Sequence, residues 1–213
     1  MGSVRLAKLV SLIPDCDVLA DVGCDHGYVG IEALRLGKAK QVAFTDISRP
    51  SLLKAKANCP QEFETVVSFH CRDGLGDINA DCAIIAGMGG LEIISILQNA
   101  KNLPQKLVLQ PMRNQRDVRN YLTDNYEIVT DVKFRDGKFY DVIVAEKCDS
   151  PTKLTELELE FGKTNIANPS KDFVNFLQLE LSKLNKILEG TSDAEVQAKR
   201  NTVEQALNLV MKK

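Results

Sequence analysis

The segment Val18-Leu19-Ala20-Asp21-Val22-Gly23-Cys24-Asp25-His26-Gly27-Tyr28 constrains the fold more than any other part of the chain. An apolar run of strand character delivers an acid into a glycine-containing turn, and helix-period sequence follows at once over Tyr28–Leu36. A chain that leaves a strand, turns tightly and enters a helix is opening a βαβ unit, which needs a parallel sheet covered by helices. The pattern repeats. Strands are predicted at Val18–Val22, Gln41–Asp46, Val66–Cys71, Cys82–Ile85 and Lys106–Leu109, with helices at Tyr28–Leu36, Ser51–Asn58, Leu91–Asn99 and Arg113–Asp124. Each strand runs out into polar or glycine-rich sequence, and open α/β sheets bind ligands at the carboxyl ends of their strands.

After Asn125 the character changes. Tyr126–Phe134 and Phe139–Glu146 flank Arg135-Asp136-Gly137-Lys138, and Asp-Gly between two β-rich runs predicts a hairpin, so the parallel sheet should finish antiparallel. Beyond Lys147 the β signal ends and Ser150-Pro151 marks a boundary. Apolar residues then recur every three to four positions in Phe173, Phe176, Leu177, Leu181, Leu184 and Leu188, and again in Val196, Val203, Leu207 and Val210. Gly190-Thr191-Ser192-Asp193 reads as a helix stop followed by a cap. The expected organisation is an α/β domain over residues 1–149 and a C-terminal helical hairpin of coiled-coil-like type over 150–213.

Composition narrows the function classes. With 44% hydrophobic and 26% charged residues the chain reads as a globular protein. Its N-terminal apolar stretch, Val4 to Ile13, is broken by Arg5, Lys8 and Ser11, which suits neither a signal peptide nor a membrane span and predicts a cytoplasmic location. The six cysteines contain no C-x-x-C pair, so zinc and disulfide frameworks are poor readings and no metal is expected. A net charge of −2 argues against binding nucleic acid by bulk electrostatics and leaves room for a local basic face.

In the Asp21–Tyr28 turn, glycines let backbone approach a ligand closely. A dinucleotide site would want G-x-G-x-x-G, but Asp25 occupies the second glycine position and would repel a pyrophosphate. S-Adenosylmethionine carries no phosphate; its amino-acid moiety and sulfonium cation suit an acidic turn, which makes Asp21, Gly23, Cys24, Asp25 and Gly27 cofactor candidates. The competing reading is a tight turn with an acidic cap. Asp46, 25 residues after Asp21, ends the second predicted strand where a carboxylate takes ribose hydroxyls, with Ile47 beside it; alone it reads equally as a cap before Ser48-Arg49-Pro50. Asp73-Gly74 could meet the adenine or be a plain turn. In Ile85-Ala86-Gly87-Met88-Gly89-Gly90, three glycines surround one flexible apolar side chain; Gly87 is a further cofactor candidate, and the loop with Met88, Gly89 and Gly90 is where a methyl acceptor would arrive, against the alternative of an eased strand-to-helix turn.

Four segments together, Asp21–Tyr28, Ile85–Gly90, Leu109-Gln110-Pro111 and Gly137–Glu146, resemble the bacterial tRNA (adenine(22)-N1)-methyltransferases of the TrmK family over the whole chain. The resemblance implies a Rossmann-like class I methyltransferase sheet, a helical C-terminal domain, S-adenosylmethionine as methyl donor with S-adenosylhomocysteine as product, and methyl transfer to N1 of adenine 22 in the D arm of tRNA. Its specificity lies in Asp25-His26-Gly27-Tyr28 and Gly87–Gly90, since a generic methyltransferase has glycine at Asp25. Met112 after Leu109-Gln110-Pro111 departs from the family pattern, which has asparagine there. The resemblance makes Asp25 the candidate for stabilising the cationic product base, with His26 orienting it, Tyr28 offering a stacking face and Met88 facing the acceptor. For His26 a helix-start role competes; for His70, inside a strand, the structural reading is preferred.

RNA contact is assigned to Gly89, Gly90, Gln110 and Pro111 and to Arg113, Arg116 and Arg119, which recur every three residues on a predicted helix; a solvated helix face is the alternative. In the tail, Lys183, Lys186, Lys199, Arg200, Lys212 and Lys213 are diluted by Glu180, Glu189, Glu195 and Glu204. The chain is read as a monomer whose partner is tRNA, with no membrane partner. The competing functions are a methyltransferase of another RNA or of a small molecule, and a non-catalytic RNA-binding protein that keeps the fold.

Overall fold

The computed structural model describes residues 4–212, so the first three residues of the predicted α/β domain and Lys213 lie outside the described residues. Seven strands form one sheet: β1 (Cys16–Val22), β2 (Ala39–Asp46), β3 (Val67–Cys71), β4 (Cys82–Met88), β5 (Lys106–Pro111), β6 (Tyr126–Asp136) and β7 (Lys138–Lys147). Their order is β3-β2-β1-β4-β5-β7-β6. β1 to β5 pair in parallel, and β7 runs antiparallel to both β5 and β6. The chain winds outward from β1 to β3, then returns to place β4 on the other side of β1. That reversal opens a crevice at the carboxyl ends of β1 and β4.

Successive strand residues point to opposite faces, and the apolar runs fill two cores accordingly. Leu19, Phe44, Ile84 and Val108 belong to one, and Ala20, Val22, Ile85 and Leu109 to the other. The helices are α1 (Val4–Leu12), α2 (Tyr28–Arg35), α3 (Arg49–Asn58), α4 (Gly90–Gln98) and α5 (Gln115–Leu122). α3 starts where Ser48 accepts from the Ser51 N–H and Pro50 occupies the first turn. α1 is the element that sequence periodicity left unassigned; it buries Leu9 and Val10 and aims Arg5 at the crevice.

The hairpin turns at Gly137, φ 71°, as Asp136-Gly137 predicts. Past it come α6 (Glu156–Phe161), opened by a Thr155/Glu158 capping box, then α7 (Lys163–Ala167), α8 (Lys171–Leu188) and α9 (Ala194–Val210), capped by Asp193. Phe161, Ile166, Phe173, Leu177, Leu184, Val203, Ala206 and Val210 form a third core in this segment. Among the described residues no helix is long and apolar enough to cross a membrane.

Arg119 corrects the prediction of a basic face on α5. It is fully buried. Its Nε and Nη2 donate to the Asp131 carboxylate at 2.7 and 3.0 Å, Nη2 also reaches Asp141 at 3.1 Å, and Nη1 donates to the Leu159 and Glu160 carbonyls at 3.1 and 2.9 Å. Lys133 joins the group through Asp141. Arg119 therefore ties β6, β7 and α6 together beneath the surface. Arg116 and Arg119 lie on neighbouring positions of one helix face that meets α6, with Arg119 enclosed beneath the surface and Arg116 at its exposed edge. Arg116 pairs with Glu156 at 2.5 Å and Glu160 at 3.8 Å, and Arg113 precedes the helix altogether.

Candidate active site

A cavity of about 1040 Å³ opens at the carboxyl ends of β1, β2 and β4. β1 delivers Asp21 into its wall, 5% exposed, where the carboxylate accepts from the Gly30 N–H at 2.9 Å. Burial, reinforced by the Asp46 charge, pushes the Asp21 carboxyl up to about 7 against that hydrogen bond. Gly23, φ 67°, turns the chain, and the N–H groups of Gly23 and Cys24 donate to the Thr45 carbonyl at 2.8 and 3.1 Å. Burial and the neighbouring acids keep the Cys24 thiol protonated.

Asp25 adopts left-handed backbone, φ 46°, a conformation that asparagine and aspartate tolerate better than other side chains. Its N–H donates to Asp46 Oδ2 at 3.1 Å, while Asp46 Oδ1 accepts from the Ser48 N–H at 2.8 Å. The ends of β1 and β2 are thus locked together through one carboxylate that still has free lone pairs. The Asp25 carboxylate is left open on the cavity wall, 62% exposed, with His26 Nε2 3.6 Å away. The His26 and Tyr28 rings stack at 5.3 Å with planes 4° apart, and Tyr28 is 54% exposed. This is an accessible aromatic platform beside the carboxylates.

β4 extends three residues beyond its predicted end, and its pairing with β5 is irregular between Ala86 and Met88. Such a bulge re-aims a side chain. Met88 turns across the crevice until its Cε occupies the space a Cβ on Gly23 would need. Asp73 and Gly74, φ 64°, and the exposed Ile47 complete the far wall. Asp21, Gly23, Cys24, Asp25, His26, Tyr28, Asp46, Ile47, Asp73, Gly74, Gly87 and Met88 are all brought to this cavity.

Other candidates stand outside it. Gly27 is buried against Ala55 and Phe44 at the start of α2 and shapes the turn. Gln110 and Pro111 are buried, so they are not open to a substrate. Gly90 is packed under the Arg113 and Asn114 carbonyls and donates to the former at 2.9 Å. Gln110 instead accepts at 2.8 Å from the Nε of Arg5, a cavity residue that the sequence did not single out because it sits in an apolar stretch without a motif. Thr45 is the second omission: its hydroxyl is fully buried on the cavity wall and has no hydrogen-bond partner among the described residues. His70 bonds Ser68, in keeping with a structural role.

This donor set can be tested against a ligand. Carboxylates dominate the β1 and β2 ends, which disfavours phosphate and suits a cationic ligand carrying ribose hydroxyls; Thr45 Oγ1 awaits a polar group, and the volume accommodates a nucleoside with an amino-acid arm. Among the described residues no cluster of His, Cys, Asp and Glu could hold a metal ion. Fold and site together define a Rossmann-like methyltransferase of the class I type.

The particular family follows from comparison with known proteins. The chain belongs to the TrmK family, tRNA (adenine(22)-N(1))-methyltransferase, whose model matches residues 19–213. It is 32% identical over 169 residues to the tRNA (adenine(22)-N(1))-methyltransferase of Bacillus subtilis, covering 75% of this chain and 71% of that protein. The structure of M. capricolum TrmK in complex with S-adenosyl-homocysteine is similar at TM-score 0.87 and 26% identity, over 99% of each chain. A Streptococcus pneumoniae structure in complex with S-adenosyl-L-methionine is similar at TM-score 0.78 and 26% identity, over 100% of this chain and 99% of that one.

Proposed function

We propose that this chain transfers the methyl group of S-adenosylmethionine to N1 of adenine 22 in the D arm of tRNA, acting as a cytoplasmic monomer. The observation that carries the reading is the placement of the open Asp25 carboxylate and the Met88 side chain on one cavity, beside a wall of buried and half-buried acids. When bound, the donor supplies an electrophilic methyl on a sulfonium. Asp46 is suited to hold its ribose hydroxyls, Asp21 its cationic amino-acid end, and Asp73 with Gly74 its adenine edge.

Adenine N1 has an in-plane lone pair, so no base need remove a proton before attack; alignment is the main demand. The new bond forms between N1 and the methyl carbon as the carbon–sulfur bond breaks, and positive charge passes from sulfur to the adenine ring. Asp25 would face that ring and stabilise the charge as it grows. The His26–Tyr28 stack offers a surface for a nucleobase lifted out of the tRNA, and Met88 a polarizable edge beside the reacting centre. Residues 150–213 would bear on the tRNA away from the reacting base, with Lys199 and Arg200 already paired with Glu180 and Glu204.

Incubation with labelled S-adenosylmethionine and unmodified tRNA transcripts, followed by mapping of the labelled nucleotide, tests the proposal. Label at N1 of the D-arm adenine is the expected result. Label elsewhere, or on small molecules only, would assign a different acceptor, and cofactor binding without transfer would favour a non-catalytic RNA-binding protein.

A further inference from the structure

Arg5 and Arg113 arrive from opposite directions in the chain and flank one short loop. Arg5 Nη2 lies 3.0 Å from the place a Cβ on Gly87 would occupy, and Arg113 Nε lies 3.2 Å from the equivalent place on Gly89. Gly87 and Gly89 are two residues apart, a span of at most about 7 Å. The two guanidinium groups therefore lie against the short loop that carries Met88, with Arg5 on the cavity lining and Arg113 beyond it.

Neither guanidinium is neutralised among the described residues. Arg5 is held by neutral groups: its Nε donates to the buried Gln110, and its guanidinium lies over the Tyr140 ring, 5.4 Å from the centroid. Asp136 accepts from the Arg5 main-chain N–H at 2.9 Å, so this carboxylate serves the start of α1 rather than the Arg5 side chain. Lys138, exposed at the hairpin tip, stands over the same Tyr140 ring at 5.3 Å, and it too has no ion-pair partner among the described residues. The contrast with Arg119, enclosed by two carboxylates, is instructive. A cation fixed by an amide and a ring is pre-oriented and keeps its charge for a ligand.

We propose that Arg5 and Arg113, with Lys138 behind Arg5, form a clamp for the phosphates on either side of the nucleotide whose base enters the cavity. This inference rests on the tRNA reading above. An extruded nucleotide needs its backbone held on both flanks while the base is out of the stack, and guanidinium groups match phosphate oxygens bidentately. The three are positioning residues: they fix the strand so that the base reaches Met88 and Asp25.

The test uses the full chain and an unmodified tRNA transcript carrying 2-aminopurine at the target position, with binding followed over a salt titration. Arg5→Gln/Arg113→Gln should reduce the slope of log affinity against log salt by about 1.5, since each lost phosphate contact removes about 0.7 to 0.9. The 2-aminopurine signal of base extrusion should fall several-fold, while S-adenosylhomocysteine affinity stays within about twofold. Arg5→Lys/Arg113→Lys keeps the charges and should retain most of the slope with a weaker extrusion signal. An unchanged slope in the Gln variant, or an equal loss of slope in the Lys variant, would overturn the clamp. So would a tenfold loss of S-adenosylhomocysteine affinity in Arg5→Gln with the slope intact, which would give Arg5 to the cofactor carboxylate. Wild-type protein that binds tRNA through this clamp but transfers no methyl group would instead strike the proposed reaction and leave the clamp standing.

Discussion

The Cε of Met88 lies in the space that a Cβ on Gly23 would fill, which couples the end of β4 directly to the turn after β1. Two demands meet at Gly23: left-handed backbone at φ 67° and no side chain. Gly23→Ala should therefore lose at least about tenfold in S-adenosylhomocysteine affinity, since left-handed backbone alone costs an L-residue about 1–2 kcal/mol and the methyl contact adds to it. Met88→Ala in the same chain removes the collision and should restore part of the loss, which calorimetry on the single and double variants would measure.

Arg119 carries the second prediction. Arg119→Gln leaves Asp131 buried without its cation and Asp141 with Lys133 alone, and removing one partner of a buried ion group costs about 3–5 kcal/mol. Denaturant unfolding should show a loss of that size. The salt dependence of tRNA binding should be unchanged, because Arg119 has no surface to offer a phosphate.

The same network bears on the predicted boundary at residue 150. Leu159 and Glu160 supply carbonyls to Arg119, Thr164 bonds the Asp131 backbone, and Asn165 Oδ1 accepts from the Lys133 N–H at 3.0 Å. A chain ending at Asp149 loses these partners, whereas one ending at Asn168 keeps them. The longer truncation should melt close to the α/β part of the intact protein and bind S-adenosylhomocysteine, and the shorter one should melt at lower temperature; calorimetric scans of the two would compare them.

These cases show where the sequence was informative. Strand cores such as Val42-Ala43-Phe44 and the Asp136-Gly137 hairpin are local signals, because burial on both faces and a left-handed turn each demand particular residues nearby. The Asp21–Tyr28 turn was legible for the same reason. Arg119 was misread because its carboxylates lie 12 and 22 residues away on β6 and β7, and a charge every three residues looks alike whether solvent or Asp131 receives it. Arg5 was missed because its partners, Gln110 and Tyr140, are more than a hundred residues distant.

Asp21 should make ligand binding depend on pH. Its carboxyl is raised from 3.8 to about 7 by burial, so between these values the folded protein keeps a proton that the unfolded chain releases. Stability from this group is present below about pH 4 and declines as pH rises to about 7. A cationic ligand favours the ionised carboxylate, so its affinity should rise by up to about tenfold from pH 6 to pH 8. Asp21→Asn should lack this component, and calorimetry in buffers of different ionisation enthalpy should show proton release near pH 6 in the wild type only.

The last prediction concerns Asp25, where the chain places a carboxylate in left-handed backbone and leaves it open to the cavity while its main-chain N–H is committed to Asp46. On the proposed reading the backbone of Asp25 would belong to the cofactor turn and its open side chain would face the acceptor. An adenine taking up a methyl group at N1 becomes cationic, and its N6 amino group becomes a stronger donor as it does so. A carboxylate accepting from that group binds the transition state more tightly than the ground state, which is the condition for raising the rate of the chemical step. Asp25→Asn preserves the shape, an acceptor oxygen and tolerance of left-handed backbone, and removes only the charge. Single-turnover methylation should fall by roughly 10²-fold or more, the scale of losing one preorganised electrostatic group. Affinities for S-adenosylhomocysteine and for tRNA should change far less, because neither ground-state complex contains the developing charge. A wild-type single-turnover rate in Asp25→Asn, or a loss that tracks cofactor affinity alone, would place the carboxylate in the cofactor site and leave the positive charge on the ring to be stabilised by other groups.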